Sequence, residues 1–208
     1  MLAAFALAAA LVAPPFGDRD LADALGPMQP KPGAWAEYLV RSAPGGEVRV
    51  RASVLPAAAE GRCWLEISAA PGSGVIAAAR LLVRGSMVPD GVERMYVMIA
   101  GQQPLEIPPG RGERPREGSG RDRRPRRLGA ERVRVPAGSF SAEVLASPGT
   151  RLWRSARVPL WGLVRARSRT RSIELLAFGA GGARSVFPPG WGEAWEKGDQ
   201  GNGRESAK

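Results

Sequence analysis

The chain has 208 residues, with 30 Lys and Arg against 20 Asp and Glu, a formal charge of +10, no His and one Cys. The missing His excludes Ser-His-Asp and Cys-His catalysis and any His-containing metal site. One Cys allows neither an internal disulfide nor a Cys-x-x-Cys zinc or redox motif.

The first segment, Met1–Ala13 (MLAAFALAAALVA), carries no charged side chain. It is too short to span a bilayer, which takes about 20 apolar residues. It matches the apolar region of a secretory signal, and Pro14–Pro15 end the run. Residues 1–17 are therefore expected to be a signal peptide, which places the protein in the periplasm or outside the cell. The other reading is a buried N-terminal helix. Residues 18–31 are expected to hold a short helix and a linker. Asp18 is its N-cap, Leu21, Ala24 and Leu25 share one face, and Gly26–Pro27 end it.

From residue 32 the pattern becomes that of strands. Glu47–Val54 (EVRVRASV) alternates cleanly, with Val48, Val50, Ala52 and Val54 on one face and charged or polar residues on the other. One wet face and one dry face is the mark of an antiparallel sheet. Ala34–Val40 precedes it across the Ala43–Gly46 turn. In Arg62–Ala69, Cys63 alternates with Leu65, Ile67 and Ala69, so the thiol is expected in the core, with Trp64, Glu66 and Ser68 facing outward. Val75–Arg84 fits either a helix or a strand and is read as a strand; Val92–Ala100 is a strand by composition.

Arg111–Arg127 has eight Arg and three acidic residues and almost no apolar content. Such a segment cannot bury enough surface to offset its ordering entropy, so residues 108–130 are expected to be a disordered basic loop. Half of the surplus charge sits here. The loop has no interleaved aromatics for stacking on bases, so nucleic acid is not expected as a partner; an anionic membrane surface or another polyanion is a candidate. Strands resume at Glu131–Pro136, Ser139–Ala146, Thr150–Ala156, Trp161–Ala166 and Arg171–Gly179. Residues 188–208 are Gly-rich and polar and read as a flexible tail. Residues 32–187 thus form one mainly β domain. A curved antiparallel sheet or incomplete barrel of nine or ten strands with little helix is expected.

Val133–Leu145 (VRVPAGSFSAEVL), Leu152–Ala166 (LWRSARVPLWGLVRA) and Ile173–Pro188 (IELLAFGAGGARSVFP) together resemble a group of uncharacterised bacterial envelope proteins. Those proteins are similar to the lipoprotein-localisation carriers. Gly33–Tyr38 (GAWAEY), opening the first strand, suits the same pattern. The resemblance implies an antiparallel half-barrel curled around an apolar cavity and closed by a helix. It also implies a lipid or lipoprotein as partner.

Candidate residues follow from both readings. Trp35, Val48, Val50, Leu65, Ile67, Val144, Trp153 and Trp161 are the expected lipid contacts if the concave face is open. The competing reading has the large aromatics filling the core. Arg165, Arg167, Arg169 and Arg171 would form an anion-binding stripe in one continuous strand, whereas a hairpin turning near Ser168–Thr170 would divide them between two arms. Glu37, Glu66 and Glu143 take outward positions and form no pair placed in one cleft. No catalytic residue, cofactor or metal is expected, and the protein is read as a non-enzyme. An interaction module with a packed core is the alternative function.

Overall fold

The computed structural model describes residues 25, 27–43, 46–57, 60–70, 77–85, 91–108, 125–189 and 191. The proposed signal peptide, most of the proposed helix, the centre of the basic loop and residues 192–208 lie outside them.

Eleven strands make one antiparallel sheet: β1 (Trp35–Ser42), β2 (Glu47–Pro56), β3 (Arg62–Ala70), β4 (Ala77–Arg84), β5 (Val92–Ile99), β6 (Leu105–Ile107), β7 (Arg126–Val135), β8 (Gly138–Ser147), β9 (Thr150–Arg154), β10 (Leu163–Ser168) and β11 (Arg171–Gly179). Their spatial order is β6-β5-β4-β3-β2-β1-β11-β10-β9-β8-β7. The two edges, β6 and β7, are neighbours in sequence, so the basic segment connects one side of the open sheet to the other.

The sheet is mainly meander, because each hairpin pairs its own arms. The one long-range closure is β1 against β11, with Tyr38 opposite Leu175 and Val40 opposite Ile173. The sheet curls around its main apolar core. Rows of paired residues such as Ala52–Ile67–Ala79–Val97 and Val54–Leu65–Leu81–Met95 supply its floor. Val133, Val135, Phe140, Val144, Leu152 and Leu163 from the other arm join the same cluster. The β10–β11 ladder stops at Arg165–Glu174, and just past it the Ala137 N–H in the β7–β8 turn donates to the Leu175 carbonyl at 3.2 Å. This contact bends the β7–β8 hairpin back toward β11 without closing the barrel.

The expected class therefore holds, with one strand more than the upper count expected. The extra strand is β6, three residues set between Pro104 and Pro108, where no strand was expected. Val75–Arg84 is a strand from Ala77. β7 begins at Arg126, inside the stretch assigned to the loop. Its first seven residues are exposed, and ladder pairing with β8 (Arg126 opposite Ala146) holds it rather than burial. Cys63 faces the core, and burial pushes its thiol pKa up.

The correction of most consequence is at β3 and β4, which are buried on both faces. Trp64, Glu66 and Ser68 do not reach water. Leu55, Trp64, Ala78, Leu82 and Tyr96 form a second apolar cluster on the reverse face, closed by Phe187 with Ala183, Val186 and Trp191 packed against it. The packed body thus extends past residue 187, to Trp191.

Candidate functional site

The β9–β10 connection, Ser155–Gly162 (SARVPLWG), is a compact loop stapled to itself. Ser155 N–H donates to the Gly162 carbonyl at 2.8 Å and Val158 N–H to the Ser155 carbonyl at 3.1 Å. Leu160 takes a left-handed backbone, φ 64°, which a bulky side chain rarely adopts. Leu160 and Trp161 are nonetheless buried, so apolar burial holds the strained turn in place. Arg154 Nε donates to the Trp161 carbonyl at 3.1 Å and fixes the loop to its own strand.

The strained residue also receives the N-terminal segment. Gln29 N–H donates to the Leu160 carbonyl at 3.2 Å, and Leu25 and Met28 are fully buried in the main core. Leu25 and residues 27–31 thereby cap one end of the curled sheet.

A cleft of about 840 Å³ lies between this cap, the loop and strands β7, β8 and β11. Ala142, Val158, Leu160, Trp161 and Phe178 give it an apolar wall. Lys31, Arg127, Arg154 and Arg157 line it as well, against one acid, Glu143, which Arg127 holds at 2.9 Å. Arg157 lies over the Phe140 ring at 5.5 Å, within cation–π range. An apolar wall beside three cations with no carboxylate of their own among the described ion pairs suits an anionic amphiphile.

Gly162 is the tightest point of the loop. Its φ is 72°, and a Cβ there would sit 3.1 Å from the Ser155 carbonyl oxygen. Gly162→Ala is expected to cost about 1–3 kcal/mol, read as a lowered urea midpoint with unchanged slope. An unchanged midpoint would show that the loop is free to relax.

The eight expected lipid contacts do not converge on this cleft. Val50, Leu65, Ile67, Val144, Trp153 and Trp161 are buried in the core, and Val48 packs partly buried against it. Trp161 alone of the eight lines the cleft. Trp35 lies on the reverse face because Ala36, Tyr38 and Val40 take the inner positions of β1. Its indole N–H donates to the Gly181 carbonyl at 3.1 Å, and the Arg51 guanidinium lies 4.0 Å above the ring. Trp153 donates its indole N–H to Glu131.

The four arginines fall on a hairpin, with the turn at Arg169–Thr170 and the Arg171 N–H donating to Ser168 Oγ at 3.1 Å. Arg165 leaves the group: it pairs with Glu174 at 3.0 Å and donates to the Arg134 carbonyl at 2.6 Å. Arg167, Arg169 and Arg171 line an open cleft of about 380 Å³ with Arg41, which Glu47 and Glu174 partly neutralise.

Two elements escaped the sequence reading. The basic rim was hidden because Lys31, Arg127 and the pair Arg154 and Arg157 come from three segments far apart in the chain. The second is a buried charge pair, Glu66 on β3 and Arg80 on β4, whose Oε1 and Nε are 3.6 Å apart at 2% and 5% exposure. Glu66 accepts from Ser185 Oγ at 2.6 Å and Val186 N–H at 3.0 Å. Arg80 donates to the Trp191 carbonyl at 2.5 Å and stacks over Trp64 at 4.6 Å. Arg80 in the middle of VIAAARLLVR, flanked on both sides by apolar residues, was the available signal, since an unpartnered charge in an apolar strand is costly. Burial pushes the Glu66 carboxyl above its ordinary range, opposed by the two hydrogen bonds and by Arg80.

No family model matches this chain, and no curated protein matches it in sequence.

Proposed function

We propose that this is a non-enzymatic, exported bacterial envelope protein that binds a lipid or an acylated partner. The observation that carries the reading is the cleft at the capped end of the curled sheet, where an apolar wall meets a basic rim. Burying about eight methylenes there contributes roughly 6 kcal/mol, a dissociation constant of some tens of micromolar. The anionic head would then lie among Lys31, Arg154 and Arg157. The apolar N-terminal segment and the resemblance to the carrier-like half-barrels support the envelope assignment.

Purified protein is expected to take up a fluorescent fatty acid at tens of micromolar. No uptake at high micromolar probe overturns the reading. A packed interaction module is the second reading, favoured by the complete burial of Leu65, Leu152, Leu163 and Leu175 on the inner face. It predicts a protein partner captured by crosslinking and no acyl binding.

A further inference from the structure

We infer that the cleft between the β10–β11 turn and the β1–β2 turn binds a terminal phosphoryl group, that of a phosphate monoester. The site lies at the end of β10 opposite the Ser155–Gly162 loop and is independent of the acyl reading of the other cleft.

The cleft, about 380 Å³, is pinned by two hydrogen bonds. Ala43 N–H donates to the Thr170 carbonyl at 2.8 Å and ties one turn to the other. Arg171 N–H donates to Ser168 Oγ at 3.1 Å and closes the hairpin tip. The ladder then sets basic side chains in a row. Arg41 on β1 lies opposite Ser172 on β11, Ser172 opposite Arg167 on β10, and Arg167 opposite Arg151 on β9. Residues paired across strands share a face, so like charges in such a row repel. Carboxylates answer its two ends: Glu47 and Glu174 hold Arg41, and Glu131 holds Arg151. Arg167 at its centre and Arg169 on the turn are exposed, and neither enters an ion pair among the described residues. The acid one step along β11, Glu174, is taken by Arg41 and Arg165.

The lining sets the ligand class. Its described residues are four Arg, three Ser, Thr170 and Ala43, with no carboxylate, aromatic ring or large apolar side chain. An acyl chain would find no apolar area there and a base no stacking surface. Guanidinium forks and hydroxyls can all donate to one ligand, and a phosphoryl group brings nearly two negative charges and three acceptor oxygens to receive them. A carboxylate brings one charge and two oxygens, which leaves one of Arg167 and Arg169 unanswered.

The test titrates full-length protein with inorganic phosphate at low ionic strength, followed by phosphorus NMR line width. Saturable binding is expected. It should be roughly 30-fold weaker in the double variant Arg167→Gln and Arg169→Gln, and about 5-fold weaker in Arg167→Gln alone, which serves if the double variant has a lowered urea midpoint. Changing Arg121, Arg123 and Arg124 of the basic segment to Gln should leave it unaltered. Acetate and dimethyl phosphate, each with one charge, should bind several-fold more weakly. Phosphatidylcholine vesicles containing phosphatidic acid separate the sources. Sedimentation with them that phosphate competes away assigns the group to a lipid head, whereas phosphate binding without sedimentation assigns it to a soluble monoester. No saturable phosphate binding overturns the inference. So does binding that the Arg167 and Arg169 variants leave unchanged, or that acetate or dimethyl phosphate matches.

Discussion

Arg80→Met lowers the unfolding free energy by about 3–5 kcal/mol, because it leaves the Glu66 carboxylate buried without its counter-charge. Pairing it with Glu66→Gln is expected to bring the protein back to within about 2 kcal/mol of the parent. The Gln oxygen still accepts from the Val186 N–H, its amide N–H faces Ser185 Oγ as a donor, and no net charge remains under Phe187 and Trp191. Urea unfolding of the parent, both single variants and the double variant forms the cycle that measures the coupling. Equal, additive losses would show that the two side chains do not act as a pair.

The same carboxyl sets a pH dependence. Its folded-state pKa is raised, chiefly by burial, so the folded protein binds the Glu66 proton more readily than the unfolded chain does. The resulting stability is fully present below the ordinary carboxylate range and is lost as pH rises through the raised value. The parent is thus expected to lose stability across that window relative to Glu66→Gln. Removing Arg80, which holds the pKa down, should extend the loss to higher pH. Parallel curves for the parent and Glu66→Gln would contradict this.

Neutralising the rim should act on binding and leave the fold intact. Lys31 and Arg157 are exposed at the cleft. The double change Lys31→Gln and Arg157→Gln is expected to cost an anionic acyl probe about 2 kcal/mol, roughly 30-fold in affinity, at about 1 kcal/mol per cation. The uncharged methyl ester of the same probe should lose little, and the urea midpoint should stay where it was. An equal loss for both probes would place the head away from these cations.

Much of the sheet was legible because local pattern and tertiary role agree. Val50, Ala52 and Val54 alternate in sequence and all face the core; Phe140, Ala142 and Val144 do the same. Glu66 shows where the pattern fails. Alternation put it on the wet face, but a segment about 120 residues further on covers that face. No local window contains that information. Arg126 and Arg127 fail in the opposite sense: their charge reads as loop, yet an exposed edge strand needs only a paired neighbour, which β8 supplies. The candidate site was half legible. The VPLWG turn stood out as a motif, and Trp161 belongs to the cleft wall, while Phe178 and the cations were scattered along the chain.

The most direct test is photoaffinity mapping with a diazirine-bearing fatty acid on the full-length protein. Labelling is expected in the peptides holding Val158–Trp161 and Phe178, competed by unlabelled fatty acid. Labelling of Val50, Leu65 and Ile67 in its place, or none that competitor displaces, would contradict an acyl site in the cleft.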